Sequence, residues 1–125
     1  MGNKKLLYTK DHEWLKHHQD SIYIIGITEY AAAQLGDIVY IDLPDPDSSI
    51  KQFEKLGEIE SVKAVSDIYS PISGKILEVN LELNHHPELI NDSAFKQGWL
   101  IKILIDSESE LSNLMNHSEY NTLIT

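Results

Sequence analysis

Lys63 is the residue whose surroundings offer the most chemistry. It lies within Glu58-Ile59-Glu60-Ser61-Val62-Lys63-Ala64-Val65-Ser66-Asp67-Ile68-Tyr69-Ser70-Pro71-Ile72-Ser73-Gly74, which reads as strand, tight turn, strand and a Pro-Gly exit. The turn breaks the usual rules, because Val62-Lys63-Ala64 supplies no Gly, Asn or Asp for a positive φ. Propensity alone draws one long strand here, and a local signal at odds with its surroundings marks a functional position. A catalytic amine needs a depressed pKa, from apolar burial or a neighbouring cation. Glu58, Glu60 and Asp67 have the opposite influence. A lysine on an exposed hairpin tip suits the role of substrate, acylated by an enzyme that reads the backbone and flanking side chains, and no residue is assigned a catalytic role.

Other chemistries are poorly served. Cysteine is absent, which removes disulfides, thiolate zinc sites and cysteine nucleophiles. His17-His18 and His85-His86 are the remaining metal candidates, but adjacent strand residues point to opposite faces and neither pair has a carboxylate at a ligand interval. No metal site is expected. Asp45-Pro46-Asp47-Ser48-Ser49 lacks the alternating ligands and the glycine of a calcium loop, and reads as a turn. The six glycines form no phosphate loop, and no nucleophile elbow is present.

The balance of 20 acidic residues against 10 lysines, with a net charge of -10, argues against nucleic acid and anionic membranes as partners. It favours steering towards basic patches on other proteins. No apolar run approaches the roughly 20 residues of a membrane-spanning helix. Met1-Gly2-Asn3-Lys4-Lys5-Leu6 lacks the apolar stretch of a signal peptide and the arginine of a transit peptide, and Leu6 stands where a myristoylation signal requires Ser or Thr. A cytoplasmic protein, or a mature organellar one, is the expectation.

The elements that must position Lys63 are short. At 125 residues one domain with one core is expected, the core over about 6–105 and a helical segment over about 107–123. Strands are predicted at Leu6–Tyr8, Glu13–His17, Ser21–Gly26, Ile38–Asp42, Gly57–Val62, Asp67–Ser70, Lys75–Asn80 and Trp99–Ile105. A helix is predicted between an N-cap at Thr28 and a stop at Gly36. Another is predicted from Ser107, with Leu111, Leu114 and Met115 at helical spacing. Gly36-Asp37-Ile38-Val39-Tyr40-Ile41-Asp42-Leu43 aligns with Gly74-Lys75-Ile76-Leu77-Glu78-Val79-Asn80-Leu81, and Phe53-Glu54-Lys55-Leu56-Gly57 resembles Phe95-Lys96-Gln97-Gly98. Two similar units pairing to bury one core imply a mainly β, pseudo-twofold sandwich or flattened barrel, with Lys63 between the copies.

Glu60-Ser61-Val62-Lys63-Ala64, followed by Ser66-Asp67, Tyr69-Ser70-Pro71 and Ser73-Gly74, resembles the lipoylation segment of glycine cleavage H proteins. The resemblance extends over roughly residues 6–123, through His12-Glu13-Trp14, Gly26-Ile27-Thr28, Leu35-Gly36-Asp37-Ile38-Val39, Leu43-Pro44, Asn80, Asn91 and Gly98-Trp99-Leu100-Ile101-Lys102-Ile103. Related lipoyl domains typically carry Asp before the lysine and biotin carriers carry Met beside it, where this chain has Val62 and Ala64. The Asp45–Ser49 stretch and Asp92-Ser93-Ala94-Phe95 depart from the family pattern.

The resemblance implies lipoic acid in amide linkage on Lys63, placed there by a lipoate- or octanoate-attaching enzyme. It also implies a monomeric shuttle serving three enzymes: a pyridoxal phosphate-dependent glycine decarboxylase (P protein), a tetrahydrofolate-dependent aminomethyltransferase (T protein) and dihydrolipoamide dehydrogenase (L protein). Matching positions nominate Glu13, Asp67, Ile27 and Ala31 as a surface that shelters the arm. Glu13 and Asp67 read equally as solvated strand-edge carboxylates. Two other functions stay open: an H-like lipoyl protein serving lipoate relay or another enzyme system, and an unmodified structural paralogue.

Overall fold

The computed structural model describes residues 5–125, so the reading of Met1 to Lys4 as neither leader nor lipidation signal lies outside the described residues. The chain is mainly β, with two antiparallel sheets. The larger has the order β1 (Leu7–Tyr8), β2 (Glu13–Gln19), β3 (Ile22–Ile27), β9 (Ile101–Ile105), β8 (Gly74–Val79), β5 (Ser49–Ile50). The smaller has the order β4 (Ile38–Asp42), β6 (Lys55–Ser61), β7 (Val65–Tyr69). Alternation explains both sheets. Tyr23 and Ile25 on β3, Ile76 on β8, Ile101 and Ile103 on β9, and Ile41 and Ile59 on β4 and β6 turn inward to one isoleucine-rich core. Burying each large aliphatic side chain is worth about 1.5–3 kcal/mol.

The internal repeat has a structural counterpart. Ile38, Tyr40 and Ile41 face Ser61, Glu60 and Ile59 in the smaller sheet, while Ile76, Glu78 and Val79 face Ile103, Lys102 and Ile101 in the larger. Both ladders skip one residue at the equivalent place, Val39 in one and Leu77 in the other. A bulge shared by both copies bends each strand pair alike, so the chain builds one antiparallel-pair design twice, once in each sheet.

Helix α1 (Glu29–Leu35) forms where expected, with the Thr28 hydroxyl accepting from the Ala31 amide and Gly36 ending it at φ 79. The C-terminal region differs from the expectation of a single helix beginning at Ser107. A 3-10 segment spans Glu108–Asn113, and Met115 then pairs with Tyr8 through two backbone hydrogen bonds of 2.8 Å, extending the edge beside β1. Helix α3 starts only at His117 and runs to Ile124, closed by a reciprocal Asn116–Glu119 capping box. Leu111 packs on the core from the 3-10 segment, while Leu114 and Met115 do so from extended backbone beyond it, so their helical spacing reflected burial rather than one continuous helix. Short α2 (Leu89–Asp92), the 3-10 turn Leu81–Asn84 and the two-residue β5 were not anticipated. None of them is long enough to show a period. No helix among the described residues is long and apolar enough to cross a membrane.

Two buried contacts fix β2. Gly26 faces Trp14 across the β2–β3 ladder, and the indole, only 1 % exposed, lies so flat on the glycine that a β-carbon there would sit 2.3 Å from its Cζ2. Glu13 ties β2 to the other sheet. Its carboxyl is 1 % exposed, one oxygen accepts from the Thr9 hydroxyl and the other from the Tyr69 amide on β7 at 3.0 Å. Loss of hydration pushes its pKa from 4.5 up to about 7, against the opposing pull of the Thr9 and Tyr69 hydrogen bonds.

Because the folded-state pKa of Glu13 lies above its unfolded value, the folded chain holds the proton longer, and stability falls as pH rises from about 4.5 to about 7. Glu13→Gln retains an acceptor for Tyr69 and can donate to the Thr9 oxygen. Urea unfolding across that window should show the wild type losing up to about 1.4 kcal/mol per pH unit relative to the variant; parallel pH profiles would refute the protonated joint. Gly26→Ala, which must displace a buried indole, should lower the unfolding free energy by about 2–3 kcal/mol in the same assay.

Candidate modification site

Lys63 sits at the tip of the β6–β7 hairpin, where Glu60 faces Val65 and Ile59 faces Ser66. The tip closes without the residues that turn rules require. In an ordinary β-turn the first carbonyl accepts from the fourth amide; here Ser61 Oγ accepts from the Ala64 amide at 3.1 Å and the Lys63 amide at 3.3 Å. The Ser61 amide donates to the Ala64 carbonyl at 2.8 Å, and no residue of the tip has a positive φ. A buried serine hydroxyl thus replaces the glycine that sequence rules look for. The signal was present in the sequence as the serine two places before the lysine.

The tip is anchored at its base. The Val62 amide donates to the Asp37 carbonyl at 3.0 Å, which ties the hairpin to the α1–β4 junction. The Lys63 stem crosses Gly36, its Cε 3.7 Å from the place a β-carbon would occupy. Asn91 locks the same junction from beneath, donating to the Gly36 carbonyl at 2.9 Å and accepting from the Ile38 amide at 3.0 Å. Val62, Lys63 and Ala64 are all exposed. The Lys63 ammonium has no ion pair or side-chain hydrogen bond among the described residues. A fixed backbone therefore presents a free amine, an arrangement suited to acylation of Nζ.

The four positions nominated for arm shelter do not share one open surface. Glu13 and Ile27 face each other across β2 and β3, and both are buried; Ala31 is half-buried on α1. Asp67 alone of the four is exposed, held at 3.3 Å from Lys55 Nζ, which also binds Glu58 at 2.6 Å. The pair of carboxylates raises the Lys55 pKa. The solvated strand-edge description therefore suits Asp67 and fails for Glu13.

Asp67 lines a groove of about 430 Å³ with Val65, Ser66 and Tyr69 of β7 and with Lys10, Asp11 and His12 of the β1–β2 turn. A second groove of about 510 Å³, reaching Phe53 and Met115, meets it at Lys10, Asp11 and Tyr69. The shared turn is itself braced. His12, at φ 75, has Nδ1 2.8 Å from the Tyr120 hydroxyl, which also lies 2.7 Å from Thr28 Oγ1, and the Tyr120 ring stacks on Tyr8 at 4.4 Å. Burial lowers the His12 pKa against the pull of Asp11. This bracing from α3 was not read from the sequence, since 108 residues separate its two ends.

The histidine pairs are dispersed: His17 Nε2 lies 2.9 Å from the Asp20 carbonyl and His86 Nδ1 lies 3.2 Å from Glu88. Among the described residues no three His, Asp or Glu side chains converge as a metal site would need. Trp14 is buried, while Trp99 is half-buried with Lys102 Nζ 5.4 Å from its ring centre.

Comparison with known proteins places these features in a family. The family model described as glycine cleavage H-protein matches residues 6–125. The glycine cleavage system H protein of Staphylococcus carnosus (strain TM300) is 42 % identical over 121 residues, covering 97 % of this chain and 95 % of that protein. That of Staphylococcus saprophyticus is 44 % identical over 120 residues, covering 96 % and 94 %. Among solved structures, a glycine cleavage system H protein from Mycobacterium marinum superposes with a TM-score of 0.84 at 33 % identity, covering 95 % of each chain. A tip lysine on a serine-closed hairpin, in a mainly β chain matched from residue 6 to its last residue, belongs to the glycine cleavage H-protein family.

Proposed function

We propose that this chain is a single-domain, monomeric, cytoplasmic carrier that holds lipoic acid in amide linkage on Lys63 and catalyses no reaction itself. The observation that carries the reading is the exposed Lys63 amine, without an ion pair among the described residues, on a tip fixed by Ser61 and Asp37. Acylation joins Nζ to the carboxyl carbon of an activated lipoyl or octanoyl donor as the bond to the donor's leaving group breaks. Nζ gives up two of its three protons and keeps one as the amide N–H, leaving the chain one charge more negative than -10. When bound, the lipoyl group supplies a disulfide that takes up the aminomethyl group of glycine from the decarboxylase and is reduced in doing so. The aminomethyltransferase and dihydrolipoamide dehydrogenase complete the set of partners.

The chain's own residues supply position and charge. Ser61 and the Val62–Asp37 bond keep the attachment point at a constant place, so a tethered group samples a small volume at roughly millimolar effective concentration once the carrier docks. The acidic surface brings the carrier to basic partner sites and lets it leave again, because contacts made mainly of rim charges raise association rates more than affinity. The groove beside Asp67 and Asp11 is the resting place proposed for the loaded arm. Glu13 supports that groove from the interior by holding the Tyr69 amide, and Ile27 stands opposite Glu13 in the buried β2–β3 ladder.

Intact mass spectrometry of chain expressed in lipoate-making cells should show one lipoyl adduct, absent from Lys63→Ala. That variant should unfold at the wild-type midpoint, because an exposed tip side chain contributes little to the core. A chain left unmodified under those conditions would sink the carrier reading in favour of a structural paralogue. The lipoylated chain should then support glycine–bicarbonate exchange with a glycine decarboxylase, and a lipoylated chain inert in exchange would point to service in another lipoyl system.

A further inference from the structure

The outer face of the β4–β6–β7 sheet is open, and its rows are unlike a surface that merely keeps a protein dissolved. Tyr40, Glu60 and Val65 form one cross-strand row directly behind the tip. Residues directly opposite one another on neighbouring strands share a face, and Tyr40 and Val65 are 57 % and 63 % exposed. Val62, 70 % exposed, stands at the tip itself. The next row is Asp42, Glu58 and Asp67, three carboxylates side by side, with Lys55 bridging Glu58 and Asp67. Like charges directly opposite are destabilising, and large apolar side chains gain nothing from exposure. Both features cost the isolated chain stability, and both border Lys63.

We infer that this face, centred on Tyr40 and Val65, is the docking surface for the enzyme that acylates Lys63, whose complementary surface is an apolar patch within a basic rim. The inference rests on the carrier reading above. The charge balance selects the partner's sign: Asp42, Glu58, Glu60 and Asp67 face one lysine, Lys55. Distance selects the acylating enzyme over the later ones. An enzyme that bonds to Nζ must seat the hairpin itself within reach of its donor, whereas enzymes acting on the far end of a long arm need no contact this close. Sheet order adds a division of labour, because β4 and β7 are the two edges of this sheet. The Tyr40 side carries the apolar contact, while the β7 edge adjoins the groove lined by Lys10, Asp11 and Ser66. The bulge at Val39 interrupts the β4 edge, so a partner engages side chains rather than adding a strand.

The test compares acylation kinetics of the full chain by a purified lipoate-attaching enzyme, followed by intact mass. Tyr40→Ala combined with Val65→Ala should raise KM about tenfold with kcat little changed. Asp42→Lys should raise KM and weaken its dependence on salt. Lys16→Ala, on the other sheet, should leave KM at the wild-type value, and no variant should melt below the wild type, Asp42→Lys melting slightly above it because it relieves the like-charge contact with Glu58. Wild-type KM in both face variants would overturn the docking surface and leave the carrier reading standing. A wild-type chain that accepts no acyl group would overturn both. Light scattering gives the remaining arm: a wild-type dimer that Tyr40→Ala dissociates would assign the face to a second copy and overturn the inference.

Discussion

A carboxyl group removed from water holds the two sheets in relation to each other. Glu13 on β2 is served by the Thr9 hydroxyl on one oxygen and the Tyr69 amide on the other. Burying a carboxyl group costs several kcal/mol unless its oxygens are satisfied or it keeps its proton, so this contact is made well or the fold loses it altogether. That sharpness makes it a register pin. A one-residue slip of β7 would remove the amide from the oxygen and turn Ile68 out of the core. The hairpin that carries Lys63 ends its second strand at this residue, so the place of the tip relative to the larger sheet depends on Glu13.

The same economy recurs at the tip. A turn made with glycine would be free to sample many conformations, and a lysine on it would wander. Closing the turn with Ser61 Oγ allows β-branched Val62 and Val65 beside the lysine, and these restrict the backbone further. The Val62 bond to Asp37 and the Asn91 bonds beneath it extend that rigidity into α1 and β4. Precision of the attachment point and freedom of the long side chain beyond it are separate properties. The chain obtains the first from backbone hydrogen bonds and the second from leaving the ammonium unpaired.

Much of this was legible in the sequence where a short-range rule applies. Short β-rich segments between turn-forming residues located eight of the strands to within a few residues, and Thr28 and Gly36 bounded α1 as capping chemistry predicts. The repeat was visible because identical register demands similar residues at matched places. What stayed hidden depended on partners far away in the chain. Glu13 looks like any strand-edge carboxylate until Tyr69 is placed beside it, and Met115 looks helical until it pairs with Tyr8. The tip was read correctly as a tight turn but against the usual turn residues, because hairpin rules describe turns closed by backbone and this one is closed by a side chain.

The two copies of the repeat continue differently, and that difference sets where a lysine tip can form. In the larger sheet the strand equivalent to β6 is β9, which lies between β3 and β8, and beyond it the chain leaves the sheet for the 3-10 segment Glu108–Asn113. In the smaller sheet β6 likewise lies between two strands, β4 and β7, but the chain turns back from it at Lys63 into β7, which is an edge strand. An acylating enzyme must approach from outside and reach an amine on a strand end. Of the two copies, the one in the three-stranded sheet leaves its tip and outer face clear. The same strand-pair frame stands in both sheets, and the onward turn from β6 into an edge strand determines which of them presents a tip to a partner.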